Sequence, residues 1–83
     1  GYEADFINRK PETFSRGVRL SFDDAVERLR LGGDVISDCK ETARRLAAAA
    51  GDGNGIHELG RKGEFPHFHP LLKGERIGGH SFY

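Results

Sequence analysis

From Ser21 onward the apolar residues Phe22, Ala25, Val26 and Leu29 recur at i, i+3, i+4 and i+7. That spacing describes one buried face of a helix. Ser21 stands where an N-cap belongs, and Asp23, Asp24 and Glu27 place negative charge near the free N–H groups and positive dipole end. Asp24 and Arg28 are spaced to pair at i, i+4, and Gly32-Gly33 supplies the left-handed stop. Next comes Asp34-Val35-Ile36-Ser37, too short for a helix and β-branched at its centre, which predicts a short strand. A second helix is predicted from a cap at Ser37 or Asp38 to about Ala50. Cys39, Ala43, Leu46, Ala47 and Ala50 form its buried stripe, Arg44 and Arg45 face solvent, and Glu41 is spaced to pair with Arg45. Gly51 ends it.

The flanks show no helical period. Residues 1–20 hold Tyr2, Phe6, Ile7 and Phe14, but Pro11 and Gly17 interrupt any long element. They read as an irregular or short-helical arm, with Val18-Arg19-Leu20 a short strand or the approach to the first helix. After Gly51–Gly55, a flexible connection, Ile56–Leu59 is strand-like and Gly60–Gly63 a turn. Phe65–His69 is extended, because Pro66 and Pro70 each disfavour helix at the residue before them. A polar turn at Lys73–Arg76 leads to a last strand over Gly79–Tyr83. The expectation is a single α+β domain over 1–83: an arm at 1–20, a helical half at 21–50, and a His-rich region at 56–83. Two helices pack on a small antiparallel sheet formed mainly by the C-terminal third.

Composition changes this picture only through its distribution. Thirteen basic and thirteen acidic residues cancel, which excludes a tail-like polybasic binder held by bulk phosphate neutralisation. All four histidines, His57, His67, His69 and His80, and most of the glycines lie after Ala50. A single cysteine, Cys39, allows no internal disulfide. On an apolar stripe it reads as a small buried hydrophobe rather than a nucleophile. The longest aliphatic run, Leu46–Ala50, is far too short to span a bilayer, so no membrane segment is expected. A start at Gly1 suggests a piece of a longer chain or a processed product.

The candidate chemistry lies in Pro66-His67-Phe68-His69-Pro70 and Gly79-His80-Ser81-Phe82-Tyr83. In a strand, His67 and His69 share one face and Phe68 takes the other. A returning strand would add His80, with Ser81 or Tyr83, to the same patch. Two chemistries suit it. Paired imidazoles could act as general base and general acid on RNA, one taking the 2′-hydroxyl proton and one protonating the leaving 5′-oxygen. Arg61, Lys62, Lys73 and Arg76, with Ser81, are the candidate substrate-binding groups. This reading requires no cofactor. The alternative is a three-imidazole site for a divalent metal such as zinc or magnesium, formed by His67, His69 and His80 with Glu64 or Glu75 as carboxylate. His57, isolated beside Glu58, reads as structural, and Gly51–Gly55 lacks the G-K-[ST] of a phosphate loop.

From about Gly33 to Tyr83, roughly three-fifths of the chain, the sequence resembles the C-terminal toxin domains of bacterial polymorphic toxins of the Rhs-repeat and contact-dependent-inhibition type. The matching features are Val35-Ile36-Ser37, the helix through Ala47–Ala50, Gly51-Asp52-Gly53, Pro66–Pro70 and Gly78–Tyr83. The resemblance implies a toxin carried at the tip of a large secreted protein, cleaved free, and acting in the target-cell cytoplasm. It also implies a cognate immunity protein and, for many such tips, a ribonuclease with a small fold of the barnase or EndoU kind. On this basis His67, His69, His80 and Tyr83 are the expected catalytic residues of an RNase. The alternatives are a metal-dependent DNase toxin and a non-catalytic module with structural or zinc-binding histidines.

Overall fold

Ser21 caps the first helix as its position suggests, its hydroxyl accepting the Asp24 N–H at 3.1 Å. In the computed structural model, which describes residues 1–6, 14–60 and 64–83, this helix is α1, Phe22–Arg30. It buries Ala25, Val26 and Leu29, while Phe22 remains exposed at the first turn. Gly32 takes the left-handed φ of 96° that ends it. Arg28 does not make the expected intrahelical pair. It turns to the N-terminal strand and the next one, donating from Nε to the Asp34 carbonyl at 2.7 Å and facing Glu3 and Asp5.

The arm expected at 1–20 contributes, in its described residues, two paired strands rather than an irregular or short-helical segment. Tyr2–Phe6 (β1) pairs antiparallel with Phe14–Arg19 (β2), and β1 also pairs antiparallel with Asp34–Ile36 (β3). Gly17 lies within β2, close against the Glu3 side chain, where the β1–β2 register shifts between Tyr2 and Ala4. Pro11 and Ile7 lie outside the described residues. The second helix, α2, runs Lys40–Ala50. Its N-cap is Cys39, with no side-chain capping bond, rather than Ser37 or Asp38. Ser37 is held by the sheet, donating its backbone N–H to the Phe82 carbonyl. Cys39 is consequently exposed at the helix start, not buried in its stripe, and Glu41 pairs with Arg44 instead of Arg45.

Gly55–Glu58 (β4), His67–Leu72 (β5), Glu75–Arg76 (β6) and Ser81–Phe82 (β7) complete the sheet. Its strand order is β2-β1-β3-β7-β5-β4, with β6 paired to β5. The fold is α+β, two helices on a mixed, mostly antiparallel sheet. Beyond the strands of the C-terminal third, the sheet takes in β1 and β2 from the N-terminal segment and β3, which lies parallel to β7. Both helices pack on one face. Ala25, Val26, Leu29, Val35, Leu46 and Ala50 form one core cluster, and Ala43, Ala47 and Phe68 form a second. Alanines at 43 and 47 let α2 approach closely enough to seat Phe68 beneath it. The opposite face is left to carry His67, His69 and His80.

Candidate functional site

Strand alternation builds the site. Phe68 is 4% exposed and packs under α2, so its neighbours His67 and His69 must project from the other face. The antiparallel register sets Glu58 of β4 opposite His67, on that same face. His80 arrives from the third side, just ahead of β7. The Gly78-Gly79 step makes this possible: a Cβ at Gly78 would collide with the Leu29 carbonyl, and one at Gly79 with the Gly33 carbonyl. Gly78 also takes a left-handed φ of 66°. Gly79 N–H then bonds the Leu29 carbonyl at 2.9 Å, so the C-terminus of α1 determines where His80 emerges.

The three rings form one cluster. Their centroids are 5.0 Å apart for His67–His69, 5.0 Å for His67–His80 and 4.3 Å for His69–His80. Phe82 stacks on His80 and meets His67 edge-on, walling one side. The side chains of His67 and His69 are only 12% and 13% exposed, and that of His80 26%.

Hydrogen bonds set the tautomers of two rings. His67 Nδ1 lies 3.2 Å from the Phe65 carbonyl, which only accepts, so Nδ1 is the donor there and Nε2 is the nitrogen turned toward Glu58. His80 Nδ1 lies 3.0 Å from Asp34 Oδ1, and the His80 backbone N–H donates to the same oxygen at 2.8 Å. Burial works to raise the Asp34 carboxyl, but these bonds from His80, aided by the charge of Arg28, hold it below its usual value. Asp34 is therefore ionised at neutral pH and fixes His80 with Nδ1–H toward itself. His69 is pushed down to about 4, first by burial and then by His80 and His67 beside it, so it is a neutral imidazole at pH 7.

Glu58 binds the cluster from its far side. Its Oε1 is 3.5 Å from His67 Nε2 and 3.3 Å from His69 Nε2, while Oε2 accepts from Arg76 Nη2 at 2.6 Å. One ring nitrogen from each histidine lies within 4.8 Å of the other two, a spacing compatible with a single metal ion. The arrangement thus suits proton transfer between imidazoles or coordination of one ion.

The convergence of His67, His69 and His80 follows the sequence expectation, and Arg76 reaches the cluster through Glu58. Two expected members lie elsewhere. Ser81 is fully buried on the helix face, its hydroxyl donating to the Ala43 carbonyl at 2.9 Å. Tyr83 shares that face, packing on the Ala43, Ala47 and Phe68 cluster and meeting His57 Nε2 at 2.7 Å through its hydroxyl. Alternation explains both: if His80 and Phe82 face the cluster, Ser81 and Tyr83 must face away. His57 stacks on Phe68 at 4.7 Å and has a packing role, as its isolation suggested. Lys73 occupies the β5–β6 turn at φ 52°, with its backbone N–H on Asp52 Oδ2 at 3.0 Å. Arg61 and Lys62 lie outside the described residues.

Asp34 and Glu58, which the sequence did not single out, are the carboxylates at the imidazoles, whereas Glu75, one of the expected metal carboxylates, is not among them. Glu75 is an exposed residue of β6, opposite Leu72. The available signal was periodic: Glu58 alternates with His57 as His67 and His69 alternate with Phe68. Asp34 needed knowledge that β3 lies beside β7. No protein-family model matches the chain, and comparison with curated proteins and with solved structures finds no match.

Proposed function

We propose that this domain is a metal-independent ribonuclease of the antibacterial toxin type, acting through His67, His69 and His80. The observation that carries the reading is the meeting of three partly buried imidazoles, two of them held with Nδ1 protonated by fixed acceptors. Cleavage of RNA by internal transfer needs two such groups. One imidazole lone pair accepts the 2′-hydroxyl proton as that oxygen attacks phosphorus. A protonated imidazole delivers its proton to the departing 5′-oxygen, leaving a 2′,3′-cyclic phosphate and a free 5′-hydroxyl. His80, with the Asp34 carboxylate behind Nδ1, is suited to the acid role, since that carboxylate orients the ring and stabilises positive charge on it. Neutral His69 is suited to the base role. Arg76, tethered by Glu58, supplies positive charge at the rim.

The likeness of the Pro66–Pro70 and Gly78–Tyr83 segments to polymorphic-toxin tips supports delivery from a producing cell and action in the cytoplasm of a target cell. A cognate immunity protein belongs to the same reading. A net charge of zero favours a shaped site over bulk attraction to phosphate, so non-specific RNA affinity is expected to be weak.

The test is cleavage of total RNA by the purified 83-residue chain in EDTA, scored for cyclic-phosphate ends. His69→Ala and His80→Ala should each slow cleavage by about 10²–10⁴-fold, the usual worth of a general acid or base. Intact RNA at every enzyme concentration, or full activity in both variants, overturns the reading.

A further inference from the structure

We propose that His67, His69 and His80, closed by Glu58, form a zinc-binding site, and that the bound ion silences the domain. Zinc bonds of about 2.0–2.1 Å in a tetrahedron place neighbouring donor atoms about 3.3–3.4 Å apart. Glu58 Oε1 already stands 3.3 Å from His69 Nε2 and 3.5 Å from His67 Nε2. These distances are long for strong hydrogen bonds and close to the edges of such a tetrahedron. One nitrogen of each histidine lies within 4.8 Å of the others, so side-chain rotations that draw the farthest donors about 1.4 Å closer complete the tetrahedron.

The surroundings of the donors match those of a built metal site. Phe65 O holds His67 Nδ1 and Asp34 holds His80 Nδ1, so in both rings Nε2 is left to coordinate. Arg76 occupies Glu58 Oε2 and leaves Oε1 to the ion. Three imidazoles and one carboxylate suit zinc, whereas magnesium prefers oxygen donors and retains its waters.

The count of donors decides what the ion does. Catalytic zinc keeps one position open for water or substrate, and four protein donors close the sphere. The ion would also take the imidazole lone pairs on which the proposed proton transfers depend. Bound zinc therefore blocks the site and adds no nucleophile. The silencing half of this inference rests on the ribonuclease reading; the binding half does not.

Titration calorimetry of the metal-free 83-residue chain with zinc chloride tests binding. One ion per chain is expected, with affinity lowered at least about tenfold in His69→Ala and about tenfold in Glu58→Gln. Circular dichroism checks that the variants fold. Cobalt(II) absorption, intense when four-coordinate and tetrahedral, reads the geometry independently in the unaltered chain. Magnesium chloride should give no heat of binding. A wild-type chain that binds no zinc at about 100 µM, or that binds it equally well in both variants, overturns the site. RNA cleavage run in parallel separates the two readings. Cleavage in EDTA that zinc stops supports both. Zinc binding without cleavage in EDTA leaves the metal site standing and sinks the metal-independent ribonuclease. Cleavage that requires added zinc overturns silencing and the closed sphere together.

Discussion

Asp34 does two tasks with one oxygen. Oδ1 accepts both the backbone N–H and the ring Nδ1–H of His80, so it determines where the strand begins and how the imidazole points. Removing it leaves two donors without that acceptor in a partly buried place, at a cost of about 1–3 kcal/mol. Asp34→Ala should therefore lower the urea midpoint and slow RNA cleavage by about 10–100-fold, because His80 loses the carboxylate that orients its ring and stabilises its charge. Asp34→Asn, which keeps an acceptor but no charge, should restore stability more than rate. Tyr83→Phe provides the contrast. It deletes only the hydroxyl that meets His57 on the opposite face and should leave cleavage within about twofold. A large loss in Tyr83→Phe, equal to that in Asp34→Ala, contradicts the assignment of faces. The histidines were legible in the sequence because H-x-H in a strand puts both rings on one side whatever the fold. Asp34 was not, because its partner lies 46 positions away.

At the scale of elements, the site depends on how β7 enters between β3 and β5. The strand is two residues long, yet it pairs parallel to one neighbour and antiparallel to the other. Its placement is determined less by its own ladder than by Gly78-Gly79, wedged against the end of α1 and the Gly32-Gly33 turn. Gly79→Ala should be among the most damaging single-methyl additions in the chain, costing about 3 kcal/mol or more, since backbone must move to admit the Cβ. Chemical denaturation gives the measurement. A loss below about 1 kcal/mol shows that the close approach is not required. The glycine pair was visible in the sequence, but only as a turn. Its steric reason belongs to a contact between segments that periodicity does not relate. The pairing of the N-terminal strands escaped for a similar reason. Gly17 and the irregular apolar spacing argue against a strand locally, and pairing of β1 with β3 overrides them.

For the whole molecule, the histidine cluster couples stability to pH. His69 in the folded, metal-free chain binds a proton only near pH 4, against about 6.5 when unfolded. Between those values the unfolded state carries more protons. Stability is therefore fully present above about pH 6.5 and is lost as pH falls toward 4. Urea midpoints of the EDTA-treated protein should decline across this window, and His69→Asn should flatten the decline. Asp34 and Asp52, both held below their usual range, add a loss of the same sign at lower pH. A midpoint independent of pH from 7 to 4, or a decline unchanged in His69→Asn, removes His69 as the cause.

Local physics made the two helices, their approximate ends and the H-x-H face determinate from the sequence alone. Capping at Ser21, the apolar period of α1 and α2, and strand alternation at His67–His69 each act over a few residues and leave their mark in the spacing. Tertiary structure decided which carboxylates meet the imidazoles, that β3 and β7 run parallel, and that Ser81 and Tyr83 turn toward the helices. Those outcomes depend on pairing between distant strands, where a shift of one residue reverses every side chain. The α+β class and three candidate histidines could thus be read in advance. Their two acidic neighbours, and the possibility of a closed metal sphere, exist only once the sheet has assembled.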